Sequence, residues 1–193
     1  MNAVLSKVRI ILVVLIAIAL AVVLLAYAGF TASHVQSGSA AGRNLTIGDY
    51  APNTPFYFAN GTESNVSSYK GKEIVLWFVA TWCSGCAQGD EMLNSSYSAF
   101  KYKGVKVIEL ELYNDLGYQG ENITSFVSGF AHQAYLSNAV TPAYASYNMT
   151  LAYDPNSYLD IYYLISPTGR ILYTNTLLAS TLPELLYEIN KTV

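Results

Sequence analysis

Ile74-Val75-Leu76-Trp77-Phe78-Val79 runs through Ala80-Thr81-Trp82 into Cys83-Ser84-Gly85-Cys86, which holds the only two cysteines of the 193 residues. Six apolar residues without alternation read as a strand buried on both faces, as in the middle of an α/β sheet. Met92, Leu93, Tyr97 and Phe100 then fall on one side of a helix pattern from Cys86 to Lys101, so the cysteine pair sits at a strand-to-helix junction. Unpaired N–H groups at a helix N-terminus favour a thiolate. Cys83 is therefore the expected nucleophile and Cys86, one turn inside, the resolving thiol. Trp82 is expected to form one wall, with Ser84 and Gly85 tuning the thiolate.

A single close pair makes a poor fold staple, because so short a loop removes little entropy from the unfolded chain. A four-ligand zinc site would need two more cysteines or histidines, and the two histidines, His34 and His132, lie in other segments. No metal site and no cofactor beyond a redox-active disulfide is expected.

Ile10 to Ala28 carries no charged residue, and its length of about 19 residues suits a membrane-spanning helix. With Lys7 and Arg9 in front of it, the positive-inside rule divides the chain. Residues 1–9 are expected to be cytoplasmic, 10–30 a transmembrane signal anchor, 31–44 a flexible tether of about 20 Å reach, and 45–193 an extracytoplasmic domain. Ala26-Tyr27-Ala28 also fits a cleaved signal peptide, which exports the domain equally. Seven of the thirteen asparagines stand in Asn-x-Ser/Thr sequons: Asn44, Asn60, Asn65, Asn94, Asn122, Asn148 and Asn190. They are candidate glycosylation sites on an exported surface. A net charge of −3 without a basic patch excludes a nucleic-acid partner.

Phe56-Tyr57-Phe58 followed by Asn60-Gly61 reads as a short strand and turn, and the alternation from Val107 to Leu112 as a second sheet strand. Strand, helix, strand implies a right-handed parallel crossover, which puts Cys83 at the carboxyl end of a strand, where reactive groups collect. Residues 113 to 159 are expected to be an insert, with a helix over Asn122 to Leu136 and a short strand. Ile161 to Ile165 and Ile171 to Tyr173 form a hairpin around Ser166-Pro167-Thr168-Gly169-Arg170. Thr181 and Glu184 predict a capping box opening a last helix, Leu182 to Ile189.

Taken together, Gly48-Asp49-Tyr50-Ala51-Pro52, the stretch Tyr69 to Cys83 and the stretch Tyr163 to Ile171 resemble the membrane-anchored thiol-disulfide oxidoreductases of TlpA/ResA type, in the AhpC/TSA-redoxin superfamily. The resemblance covers most of residues 47 to 190. It implies a three-layer thioredoxin-like α/β fold with a central mixed sheet, acting outside the cytoplasm on protein thiols or disulfides through Cys83 and Cys86. Two positions depart from the family pattern. The cis-proline that precedes the late strand falls on Leu159 or Asp160, with Pro155 a few residues early, and Asp160 thereby enters the site's surroundings. The glutamate three residues after Cys86 is replaced by Gly89, with Asp90 next to it, either pointing to the site or solvated in the first helical turn. The alternatives are an interaction subunit docking onto a membrane complex without turnover, and copper delivery of the Sco kind. Sco proteins resemble this chain in fold, but their histidine corresponds to about Tyr158 here.

Overall fold

The computed structural model describes residues 43–191. The expected cytoplasmic segment, the anchor and nearly all of the tether lie outside the described residues, among which no helix is long and apolar enough to cross a membrane. Seven strands form one sheet: β1 Phe56–Phe58, β2 Glu63–Ser64, β3 Ile74–Val79, β4 Lys106–Glu111, β5 Val140–Ala145, β6 Ile161–Ile165 and β7 Ile171–Thr176. Their order is β2-β1-β5-β4-β3-β6-β7, with β3, β4 and β5 parallel and the outer strands antiparallel to their neighbours. The sheet is thus mixed.

Five α-helices flank it: α1 Ser84–Lys103, α2 Ile123–Phe130, α3 His132–Leu136, α4 Tyr147–Tyr153 and α5 Leu178–Lys191. Val75, Trp77 and Val79 of β3 pack on one side with residues of α1, α2, α3 and α5. Ile74, Leu76 and Phe78 pack on the other with α4 and the N-terminal segment from Leu45 to Val66. Because both faces are covered, none of the six β3 side chains is more than 1% exposed, and the unbroken apolar run is what such burial requires. Each such side chain stabilises the fold by about 1.5–3 kcal/mol relative to exposure.

Helix α1 starts where the Cys83 sulfur accepts from the Cys86 N–H, and stops at Gly104, whose φ of 70° is left-handed and suits glycine. Its buried stripe is Cys86, Asp90, Leu93 and Phe100, whereas Met92 is exposed.

Two sequence expectations are corrected and a third gains a place in the fold. The segment 113–159, expected as an insert with a helix and a short strand, puts that strand, β5, inside the sheet between β1 and β4. The helix expected over 122–136 is two helices, broken at Ala131, where ψ is 40°. The last helix begins at Leu178, so Thr181 lies within it and caps nothing. Asp160 supplies the start instead: its carboxylate accepts from the Leu178 N–H at 3.1 Å. The cap comes from 18 residues upstream, where no local window reveals it. The Thr181 hydroxyl instead donates to the Thr176 carbonyl and accepts from the Tyr162 hydroxyl.

Candidate active site

Cys83 leaves β3 through the Ala80–Trp82 turn and becomes the N-cap of α1, with extended backbone angles of −84° and 112°. Its Sγ accepts from the Cys86 N–H at 3.2 Å. Cys83 is partly exposed and Cys86 fully buried, and both are free thiols. The Cys86 thiol donates to the Cys83 sulfur, and with the N–H groups of Cys86 and Gly85 it lowers the Cys83 pKa to about 6 against the opposing effects of burial and Asp160. The same interaction and burial push the Cys86 thiol up. One sulfur is therefore an accessible thiolate near neutral pH and the other a protonated, sheltered thiol.

Behind the pair, Trp77 lies against both Gly89 and Asp160. The Trp77 indole, fully buried, lies over Gly89, so that a Cβ on that glycine would come 2.7 Å from Cζ2 and 2.9 Å from Cη2. Any side chain at Gly89 would force the indole to shift. The Trp77 Nε1–H donates to Asp160 Oδ1 at 2.8 Å, and the Leu178 N–H joins it there. Asp160 itself is only 3% exposed. Its Oδ2 and the Cys83 Sγ are each 3.8 Å from the point a Cβ on Gly85 would occupy. Asp160 thus lies beside the cysteine turn, turned into the core, while Cys83 keeps its opening to solvent. Leu159 and Asp160 reach this arrangement through left-handed φ of 56° and 48°, and Pro155 lies in the turn after α4. Burial raises the Asp160 pKa, and its charge in turn opposes ionisation of both cysteines.

Asp90 is completely buried, not solvated, and pairs with Glu109 of β4, also completely buried. Burial pushes Asp90 up to about 8 and Glu109 well above its usual range. Among the described residues no hydrogen-bond donor reaches the four carboxyl oxygens of this pair, so burial favours the protonated form of both acids. Glu109 is the residue that sequence reasoning missed. An alternating strand reads as solvated on its polar side, but β4 lies next to β3 with helices over that side. The available signal was the parallel crossover itself, which predicts cover on both faces.

Trp82, expected as one wall of the site, is 39% exposed. Its Nε1–H donates to the Asp115 carbonyl at 2.9 Å, and its ring lies 4.9 Å from that of Tyr118. The Asp115 carboxylate accepts from the backbone and hydroxyl of Thr81, both at 2.9 Å. These bonds pin the 3-10 segment Tyr113–Gly117, whose Asn114, Asp115 and Leu116 are all left-handed, against the active-site turn. Gly120 is required beside them, since a Cβ there would collide with the Asp115 carboxylate and the Thr81 hydroxyl. Ser84 is exposed and Gly85 partly buried in the first turn of α1.

The seven sequon asparagines are scattered away from the cysteines and divide into two sets. Asn44, Asn60, Asn122, Asn148 and Asn190 are exposed. Asn65 and Asn94 are partly buried and cap backbone N–H groups of Ser68 and of Gln133 and Ala134, and Asn122 donates through Nδ2 to the Tyr144 hydroxyl. Among the described residues no group of three or more His, Cys, Asp or Glu is placed to hold a metal ion, and Tyr158 is exposed.

A partly exposed thiolate capping a helix at the carboxyl end of a central parallel strand, with a buried partner thiol one turn on, defines a thioredoxin-like dithiol domain. The chain belongs to the AhpC/TSA family, whose pattern matches residues 47–167. The thiol-disulfide oxidoreductase ResA of Bacillus thuringiensis subsp. konkukian is 34% identical over 67 residues, 35% of this chain and 39% of that protein. The chain therefore spans about two fifths of the length of the curated relatives it matches. A peroxiredoxin-like protein from Aquifex aeolicus superposes with a TM-score of 0.61 at 17% identity, covering 79% of this chain and 91% of that one. The thioredoxin domain of a thiol-disulfide oxidoreductase from Bacteroides vulgatus gives 0.54 at 17%, covering 74% and 99%. At these identities the likeness is one of fold, and it shows the thioredoxin-like mixed sheet.

Proposed function

We propose that the chain is a thiol-disulfide oxidoreductase acting on protein cysteines. The observation that carries this reading is the contrast between the two sulfurs: Cys83 is accessible with a pKa of about 6, and Cys86 is buried and protonated. The Cys83 thiolate attacks one sulfur of a partner disulfide, forming a mixed disulfide and releasing the other partner sulfur as a thiolate that takes a proton from water. Cys83 then no longer carries the charge that suppressed ionisation of Cys86. The Cys86 proton passes to Asp160, and the Cys86 thiolate attacks Cys83, expelling the second partner thiolate. The domain ends as a disulfide and the partner as a dithiol, two electrons having passed between them. A dithiol reductant returns the domain to its starting state, and the reverse sequence donates a disulfide.

The apolar stretch within residues 10–30 and the sequons support a domain anchored on the outer side of a membrane, bearing glycans at Asn44, Asn60, Asn148 and Asn190, which are exposed like Asn122 but lack its Nδ2 bond to Tyr144. Exchange assays with insulin and with glutathione, on the full chain and its Cys83→Ser variant, test the chemistry. Equally low rates in both would remove it. Alkaline carbonate extraction and glycopeptide mass spectrometry of the native protein test the anchor and the glycans.

A further inference from the structure

A row of side chains crosses the sheet at the end that carries the cysteines. Tyr57 of β1 is in register with Tyr144 of β5, Tyr144 with Glu111 of β4, and Glu111 with Val79 of β3, four residues before Cys83. Beyond the strand ends stand Tyr113 and Tyr147, exposed and packed edge to face with ring centroids 5.5 Å apart. The four tyrosines and Glu111 line one cleft of about 520 Å3. The hydroxyls of Tyr57 and Tyr144 are occupied by Glu63 and Asn122 respectively. The cleft therefore offers ring faces around a carboxylate.

Glu111 has no cation among the described residues: the ion pairs there are Arg43 with Asp49 and Lys191 with Glu188. Burial and the nearby Asp115 charge push its carboxyl up to about 7, a cost that a positive charge in the cleft relieves. Aromatic rings around a carboxylate are the setting that holds a guanidinium or ammonium group, through the ring quadrupoles and one charge pair.

We infer that this cleft receives an arginine or lysine side chain of the polypeptide whose disulfide meets Cys83. The inference rests on the proposed exchange activity and names a feature of its substrates. Cleft and site share the segment Tyr113–Gly117, which lines the one through Tyr113 and braces the other through Asp115. From β3 to β5 is two strand spacings, about 10 Å, so the basic residue lies roughly three to five extended positions from the partner cysteine.

Peptides carrying one cysteine as a mixed disulfide with glutathione, and either arginine or citrulline four positions away, test this on the full chain. The arginine peptide is expected to exchange about threefold to tenfold faster, with Glu111→Gln and the surface variant Tyr147→Ser bringing the ratio toward one. Equal rates for the two peptides in the unaltered protein overturn the inference and leave the exchange activity standing. If neither peptide exchanges, calorimetric binding of their cysteine-to-serine analogues decides separately. A preference for arginine there that Glu111→Gln abolishes upholds the cleft while the exchange reading falls, and no preference overturns the cleft as well. Tetramethylammonium binding without any peptide preference assigns the cleft to small cations and overturns the polypeptide occupant.

Discussion

Replacing Cys86 by alanine removes the thiol that donates to Cys83, the largest of the influences that bring Cys83 to about 6, and leaves the backbone donors at Cys86 and Gly85 in place. A hydrogen bond to a charged group is worth about 1.5–3 kcal/mol. At about 1.36 kcal/mol per pH unit this is one to two units, so the Cys83 midpoint in Cys86→Ala is expected at roughly 7 to 8. At pH 6.5 the thiolate fraction then falls from about three quarters to about a tenth. The assay is the rate of iodoacetamide alkylation of Cys83 across pH 4.5 to 9.5, followed by mass spectrometry. Cys86→Ser, which keeps a hydroxyl donor, is expected to lie between the alanine variant and the unaltered protein. An alanine variant with an unshifted midpoint would refute the assignment of the low pKa to the neighbouring thiol and leave the helix terminus as its source.

Three further outcomes follow from the same geometry. Asp160→Asn keeps the acceptor for Trp77 and Leu178 but removes a charge that opposes the thiolate, so the alkylation profile of Cys83 should move to lower pH; a move upward contradicts the placement of Asp160. Gly89→Ala forces a methyl group into the fixed Trp77 ring and is expected to cost about 1–3 kcal/mol, seen as a lower urea midpoint; no change would mean that the indole moves freely. Because burial raises Asp90 from 3.8 to about 8, the folded chain holds a proton that the unfolded chain releases. Its stabilising contribution is complete below about pH 4 and is lost as pH rises through about 8. Asp90→Asn should therefore flatten the decline of thermal stability over that window, and melts at pH 4.5, 6 and 7.5 that keep the original slope count against a buried, proton-holding Asp90.

What the sequence made legible was contiguous. The strand Ile74–Val79, the cysteine pair at the start of α1, and the late hairpin each carry their pattern within a dozen residues, and the structure contains them, the last strand running on three residues past Tyr173. What escaped depends on pairs distant in the chain. The start of α5 is set by Asp160, the position of Gly89 by Trp77, and the active-site turn by Asp115, 34 residues from Thr81. Asp90 and Glu109 look like surface acids because composition alone does not tell which helix will cover them. The interior place of β5 was hidden for a related reason: Val140–Ala145 contains a proline and two small residues, a weak strand signal that its neighbours on both sides overrule.

The position of β5 also governs when the molecule can close during synthesis. β1 ends at Phe58 and waits for Val140–Ala145, and Tyr50 waits for Arg170, with which it forms a bridge. At about 5–20 residues per second these partners emerge roughly 4 to 24 seconds later. Over that interval β3 also lacks β6, its antiparallel neighbour, so its apolar run has an open edge that can pair with another nascent chain. The strand that leads into Cys83 is thus exposed to edge pairing until the last hairpin arrives.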